Sequence, residues 1–198
     1  MGDIMSKLIF RYGAMGSSKT ANALMVRYNY AEKGKNVVML KPMCENRDGD
    51  KTIKSRIGIE YECEYVEDFI QYEKENWSTI KMPDAIIIDE AQFLTAEQVE
   101  TLAGYVDYDG VTVICYGLRT DFQSNLFEGS KRLMELADEL EEITTICWCG
   151  KRAQFNARIV DGKMTLVGNQ VQLGGNECYA ALCRKHYRLQ RIAPDNWM

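Results

Sequence analysis

Gly13-Ala14-Met15-Gly16-Ser17-Ser18-Lys19-Thr20 lies between the apolar run Leu8-Ile9-Phe10 and the helix-like stretch Ala21 to Arg27. A loop at such a strand-to-helix turn presents successive backbone N–H groups to phosphate oxygens, helped by the positive end of the following helix. Lys19 would reach the β- and γ-phosphates of a nucleotide, and the Thr20 hydroxyl would ligate Mg²⁺. The pattern G-x-x-x-x-G-K-[ST] asks for glycine where this chain has Ser18, and Gly16 stands two residues earlier. The extra Cβ at Ser18 predicts a tolerated but tighter loop. Taken alone, the stretch also fits a surface turn whose lysine starts a helix.

A second candidate is Ala85-Ile86-Ile87-Ile88-Asp89-Glu90-Ala91-Gln92-Phe93, an all-apolar run that ends in two acids. An acid at this strand end can hold Mg²⁺ through water and complete the site opened by Lys19 and Thr20, which leaves Glu90 for proton transfer. Two acids after a strand are otherwise a solvated turn or a helix start. The two motifs on separate strands of one sheet favour nucleotide binding over either alone.

The seven cysteines, at positions 44, 63, 115, 147, 149, 178 and 183, are an odd number, and thiols or metal ligands fit them better than disulfides. The later ones gather near the only histidine, His186. Zinc ligation and buried thiols in a small core are both open readings of that cluster. With a single histidine, no Ser-His or Cys-His catalytic system can operate elsewhere.

Strand-like runs at Leu8 to Phe10, Val37 to Leu40, Ala85 to Ile88 and Val111 to Tyr116 must position these groups. They alternate with helical spacing at Ala21 to Glu32, Val66 to Glu75 and Ala96 to Tyr105, which reads as α/β. Strands apolar at successive residues suit a parallel sheet covered on both faces, so residues 1 to about 140 read as a wound sheet. Lys41 to Arg56 turns polar and reads as a mobile, lid-like loop. Lys131 to Glu142 reads as a helix, followed by short strands from Cys147 to Val167, a glycine-rich loop to Gly175, and Cys178 to His186. This last part is too small for a core of its own and needs a staple.

The 198 residues suffice for one core plus a small lobe. The net charge of -5, with scattered basic residues, argues against nucleic acid as a partner. No apolar run is long enough to span a bilayer and the first residues have no signal-peptide core, so no membrane partner and a cytoplasmic location are expected.

Gly13-Ala14-Met15, Asp89-Glu90-Ala91-Gln92-Phe93, Tyr116-Gly117-Leu118-Arg119-Thr120-Asp121-Phe122-Gln123, Phe127-Glu128-Gly129-Ser130, Cys147-Trp148-Cys149-Gly150 and Cys183-Arg184-Lys185-His186-Tyr187 occur in an order and spacing that resemble the type II thymidine kinase family. The match runs from about residue 7 to 188. The resemblance implies a P-loop, recombinase-like parallel sheet flanked by helices over residues 1–143, a small zinc-ribbon-like lobe with a lasso loop over 144–190, and a tail over 191–198.

It also implies transfer of the γ-phosphoryl of ATP to the 5′-hydroxyl of thymidine, giving thymidine monophosphate, with Glu90 as general base. Gly13 through Thr20 and Asp89, Glu90, Ala91 and Gln92 match the ATP and Mg²⁺ site. Met15, Phe93, Leu118, Phe122, Phe127 and Tyr179 match the thymidine pocket, and Thr144 is a further candidate. Val171 to Tyr179 resembles the lasso loop, which closes over the base and reads it through backbone hydrogen bonds. Cys147, Cys149, Cys183 and His186 match a structural zinc site, with C-x-C in place of the commoner C-x-x-C, and Cys178 is expected to lie outside it. Glu45-Asn46-Arg47 stands where the family has Asp-x-Arg, one methylene longer. A homotetramer and feedback inhibition by thymidine triphosphate are further implications.

Two other function classes share parts of this pattern. A recombinase-like, nucleic-acid-stimulated ATPase also joins a phosphate loop to an acidic strand end, but needs a basic groove or stacking aromatics. A non-catalytic zinc-ribbon module with a degenerate phosphate loop would accommodate Ser18 and Glu45.

Overall fold

The computed structural model describes residues 6–45, 49–76, 79, 81–170 and 178–194. The first half contains β1 (Leu8–Tyr12), α1 (Lys19–Glu32), β2 (Val37–Lys41), β3 (Thr52–Lys54), β4 (Glu60–Glu62), β5 (Glu64–Tyr65), α2 (Val66–Asn76) and β6 (Ala85–Ile88). A 3-10 turn (Ala91–Phe93), α3 (Ala96–Asp109), β7 (Thr112–Gly117), α4 (Glu128–Leu136) and β8 (Glu139–Glu142) follow. The remainder is β9 (Thr145–Ile146), β10 (Arg152–Ala153), β11 (Phe155–Val160), β12 (Lys163–Thr165), β13 (Tyr179–Leu182) and α5 (Arg184–Arg188).

Six strands form a sheet in the order β5-β2-β6-β7-β1-β8, with every neighbouring pair parallel. Alternation along the strands feeds two cores. Phe10, Ile86, Ile88, Val113 and Cys115 pack with residues of α2, α3 and α4, whereas Ile87, Ile114 and Tyr116 pack with Ala23 and Leu24 of α1. All four residues of β6 are therefore buried, which is why its apolar run is continuous.

The order puts β7 between β1 and β6. The segments that follow β1, β6 and β7 thus leave the same carboxyl edge of the sheet, where ligands of open α/β folds bind. A polar chain fixes α1 against that edge: Arg11 donates to the Tyr116 hydroxyl (2.7 Å), which donates to Asn22 Oδ1 on α1 (2.8 Å).

Two local expectations are corrected. The helix expected over Lys131 to Glu142 is α4 at Glu128–Leu136 followed by the edge strand β8. Pairing with β1 overrides helical propensity there: the Leu8 amide donates to Asp138 Oδ2 (2.8 Å) and the Ile143 amide to the Tyr12 carbonyl (2.8 Å). The loop expected over Lys41 to Arg56 contains β3, which pairs antiparallel with β4. Ile53 is the reason, since its side chain is buried against α1.

After β8 the chain builds a three-stranded antiparallel sheet, β12-β11-β13, and a β9–β10 ribbon. Its core is a small cluster of Cys147, Ala153, Ala157, Met164, Leu182 and Cys183. A short link, Ile143 and Thr144, connects β8 to β9.

Helix α4 approaches the 3-10 turn closely. A Cβ on Gly129 would meet the carbonyl oxygens of Ala91 at 2.6 Å and Leu94 at 2.7 Å. Gly129→Ala must push the turn away and is expected to cost about 1–3 kcal/mol, read as a shift in the denaturant midpoint.

Candidate active site

The candidate phosphate loop leaves β1 at Tyr12 and enters α1 at Lys19. Gly16 (φ 75°) and Ser18 (φ 60°, ψ 27°) both take left-handed backbone, the kind of winding that gathers N–H groups into an anion nest. Ser18 thus adopts the conformation a glycine would take, with an exposed side chain. Gly13 has no room for a side chain, since a Cβ would lie 2.3 Å from the Ile143 carbonyl oxygen. Lys19 is buried, and its Nζ donates to the carbonyls of Ala14 (3.0 Å) and Gly13 (3.3 Å) and to Ser17 Oγ (3.3 Å). The loop is wound around the ammonium group.

Asp89 follows β6 directly and is buried. Burial first, then the neighbouring Glu90 charge, raises its proton affinity to about 7, while hydrogen bonds from the Thr20 hydroxyl and the Glu90 amide and the Lys19 charge oppose the rise. The Thr20 bond brings the two sequence motifs into one site across the intervening strand β7.

Glu90 is half-buried and left-handed, with φ 53° and ψ 35°. Gln92 holds it: the buried amide donates from Nε2 to the Glu90 carboxylate and accepts at Oε1 from the Leu118 amide (2.9 Å). A Cβ on Gly117 would lie 2.8 Å from that Oε1, so glycine at the end of β7 makes the bridge possible. Ala91 is buried and starts the 3-10 turn.

The candidate nucleoside residues form two groups. Phe93 and Phe127 meet edge to face, with centroids 5.7 Å apart, and the Ser130 hydroxyl donates to the Leu118 carbonyl beside them. Phe122 is buried beneath the Arg158 guanidinium (3.7 Å), which also donates to the Tyr179 hydroxyl (3.0 and 3.1 Å) and to the carbonyls of Asn169 and Gln170. The Met15 amide donates to Asn156 Oδ1 (2.8 Å), and Asn156 Nδ2 donates to the Thr120 carbonyl (3.0 Å). Thr144 is exposed, and its neighbour Thr145 reaches the loop instead, donating to the Gly16 carbonyl (3.3 Å). Glu45 is buried, whereas Asn46, Arg47 and Val171 to Glu177 of the expected lasso lie outside the described residues.

Asn156 and Arg158 were not singled out by the sequence. They alternate with Phe155, Ala157 and Ile159, which reads as a solvent face, yet both are buried. Polar residues in a strand that must be covered on both sides were the available signal.

Cys147, Cys149, Cys183 and His186 bring their donor atoms within 4.8 Å of one another, and Cys178 is outside the cluster. The separations from His186 Nδ1 to Cys147 Sγ (3.5 Å) and Cys183 Sγ (3.4 Å), and between the Cys149 and Cys183 sulfurs (3.9 Å), fit zinc. Tetrahedral zinc bonds imply edges of about 3.5–3.8 Å. Trp148 stacks on the His186 ring at 4.1 Å, and Tyr187, next in sequence, donates its hydroxyl to the Phe122 carbonyl.

Because Ser18 already has the left-handed backbone, Ser18→Gly is expected to stabilise the ligand-free protein by about 0.5–1 kcal/mol and to leave the ATP KM within about twofold. A markedly lower KM would mean that the serine holds the loop out of shape.

The thymidine kinase family model matches residues 6–187. A thymidine kinase of Lactococcus lactis subsp. lactis (strain IL1403) is 44% identical over 184 residues, covering 92% of this chain and 97% of that protein. The thymidine kinase of Lactiplantibacillus plantarum (strain ATCC BAA-793 / NCIMB 8826 / WCFS1) is 46% identical over 188 residues, covering 92% and 96%. That of Streptococcus pyogenes serotype M3 (strain ATCC BAA-595 / MGAS315) is 44% identical over 184 residues, covering 92% and 97%. With the family model spanning residues 6–187 and these relatives covering 92% of the chain, this chain belongs to the thymidine kinase family.

Proposed function

We propose that the protein transfers the γ-phosphoryl group of ATP to the 5′-hydroxyl of thymidine, with Glu90 as the general base. The observation that carries this reading is the meeting of Thr20 and Asp89, with Glu90 held beside them by Gln92. Lys19 exchanges its loop carbonyls for phosphate oxygens, a charge-assisted bond in place of neutral ones. The nest at Gly16 to Ser18 binds phosphate through backbone N–H groups. The Glu90 carboxylate accepts the hydroxyl proton as the new P–O bond forms. Gln92 keeps that carboxylate aimed.

The Thr20 hydroxyl and the Asp89 carboxylate are oxygen donors suited to Mg²⁺, directly or through water, which when bound supplies charge neutralisation to the phosphates. Met15, Phe93, Leu118, Phe122, Phe127 and Tyr179 are the proposed thymidine-binding residues, with deoxyuridine and related analogues as secondary substrates. Among the described residues no helix is long and apolar enough to cross a membrane. A cytoplasmic location, a homotetramer and inhibition by thymidine triphosphate complete the reading.

Purified protein with ATP, Mg²⁺ and thymidine is expected to form thymidine monophosphate, and Glu90→Gln to lower kcat by about 10²–10⁴-fold with the circular dichroism spectrum unchanged. Near-wild-type turnover would remove Glu90 as the base. ATP consumption that is independent of thymidine and stimulated by single-stranded DNA would instead support the ATPase reading.

Zinc at Cys147, Cys149, Cys183 and His186 would be structural, since four protein donors leave no open position. Stripping it with a chelator is expected to lower the Tm and raise the thymidine KM more than the ATP KM, because Tyr187 hangs on Phe122. Equal effects on both constants would separate the lobe from nucleoside binding.

A further inference from the structure

We propose that Arg56, at the tip of the β3–β4 hairpin, is a further triphosphate-binding residue that closes the open side of the phosphate loop opposite Lys19. The proposal rests on the reading of Gly13 to Thr20 as the ATP site. A Cβ built on Gly16 would meet a single neighbour within 4 Å, Nη1 of Arg56, at 3.6 Å. The guanidinium therefore stands over the exposed, left-handed part of the nest.

That placement is fixed by the hairpin. Ser55 is buried and closes the tip: its amide donates to the Ile59 carbonyl (2.8 Å), and the Ile59 amide donates to its Oγ (3.1 Å). The Gly58 amide donates to the Ser55 carbonyl (3.0 Å), with the left-handed φ of 86° that glycine allows. Along the hairpin, Ile53 is buried against Ala23 and Leu24 of α1, and Arg27 of α1 lies 3.7 Å over the Tyr61 ring. The hairpin is thus laid along α1, with its tip toward the amino end.

Charge separates Arg56 from its neighbours. Lys51 pairs with Glu64 and Asp68, and Lys54 pairs with Glu60. Among the described residues Arg56 has no hydrogen bond or ion pair, and it sits where the α1 amino end and Lys19 already concentrate positive potential. A cation held there without an acid is compensated by a bound anion. Lys19 lies behind the loop with its Nζ against carbonyls, so it serves the inner phosphate oxygens, whereas a planar fork on the solvent side can take two outer ones.

The test is steady-state kinetics on Arg56→Ala and Arg56→Lys. Arg56→Ala is expected to raise the ATP KM by about 10- to 100-fold, with the thymidine KM within about twofold and the Tm unchanged because the side chain is exposed. Arg56→Lys should fall between, keeping the charge but not the fork. As probes, inorganic triphosphate should lose inhibitory strength against Arg56→Ala, while AMP should not. An ATP KM within twofold of wild type in Arg56→Ala, or equal weakening of triphosphate and AMP, overturns the proposal. If wild-type protein forms no thymidine monophosphate from ATP, it is the underlying assignment that fails, and the two failures are distinct.

Discussion

The hydrogen bond between Thr20 and Asp89 is the constraint on which the rest of the site depends. Thr20 stands at the start of α1 and Asp89 at the end of β6, and β7 separates their strands. The bond can form only if β1, β7 and β6 are parallel and in register, so that their carboxyl ends come level. Pairing of Ile86 to Ile88 with Val113 to Cys115 on one side and Val38 to Leu40 on the other sets that register, and a slip of one residue would carry Asp89 to the opposite face of the sheet. Hydrophobic packing thus sets an electrostatic site, and the buried carboxyl costs free energy that the thousands of cal/mol in the two cores offset.

The smaller lobe depends on the larger one through polar rather than apolar ties. Asn156 on β11 links the Met15 amide to the Thr120 carbonyl, so one side chain joins the turn between β1 and α1, the segment after β7 and the three-stranded sheet. Tyr187 ties α5 to the Phe122 carbonyl, and Arg158 ties the segment before residue 171 to Tyr179 after it. The lobe's own apolar cluster contains two of the four candidate zinc ligands, Cys147 and Cys183. Metal binding and packing there are one interaction, which follows from a lobe too small to bury enough apolar surface by itself.

Much of this was legible in the sequence. The four central strands show as apolar runs because parallel strands are covered on both faces, and the turn Gly13 to Ser18, the candidate phosphate loop, shows as a glycine- and serine-rich break between a strand and a helix. What was not legible is tertiary in origin. Glu139 to Glu142 looks helical until β1 offers its open edge, and Thr52 to Lys54 looks like loop because Ile53 alone of the three is buried. Arg158 escapes notice for a related reason: its partners are carbonyls and rings from segments distant in sequence, which no local pattern announces.

The strain in the site also has a direction. Ser18 and Glu90 are both non-glycine residues in left-handed backbone, a conformation that costs about 1–2 kcal/mol each. Such residues persist only where surrounding contacts over-determine them. At Ser18 the determinants are local: the Asn22 amide donates to its carbonyl and α1 begins at the next residue. At Glu90 they are tertiary: its amide is taken by Asp89, its carboxylate by Gln92, and Gln92 in turn by Leu118. A relaxed backbone at Glu90 would break these links and turn its carboxylate away from Asp89 and Thr20. The same three hydrogen bonds that maintain the strain therefore aim the proposed base, and they can do so only because Gly117 and Gly129 leave space for the turn that carries them.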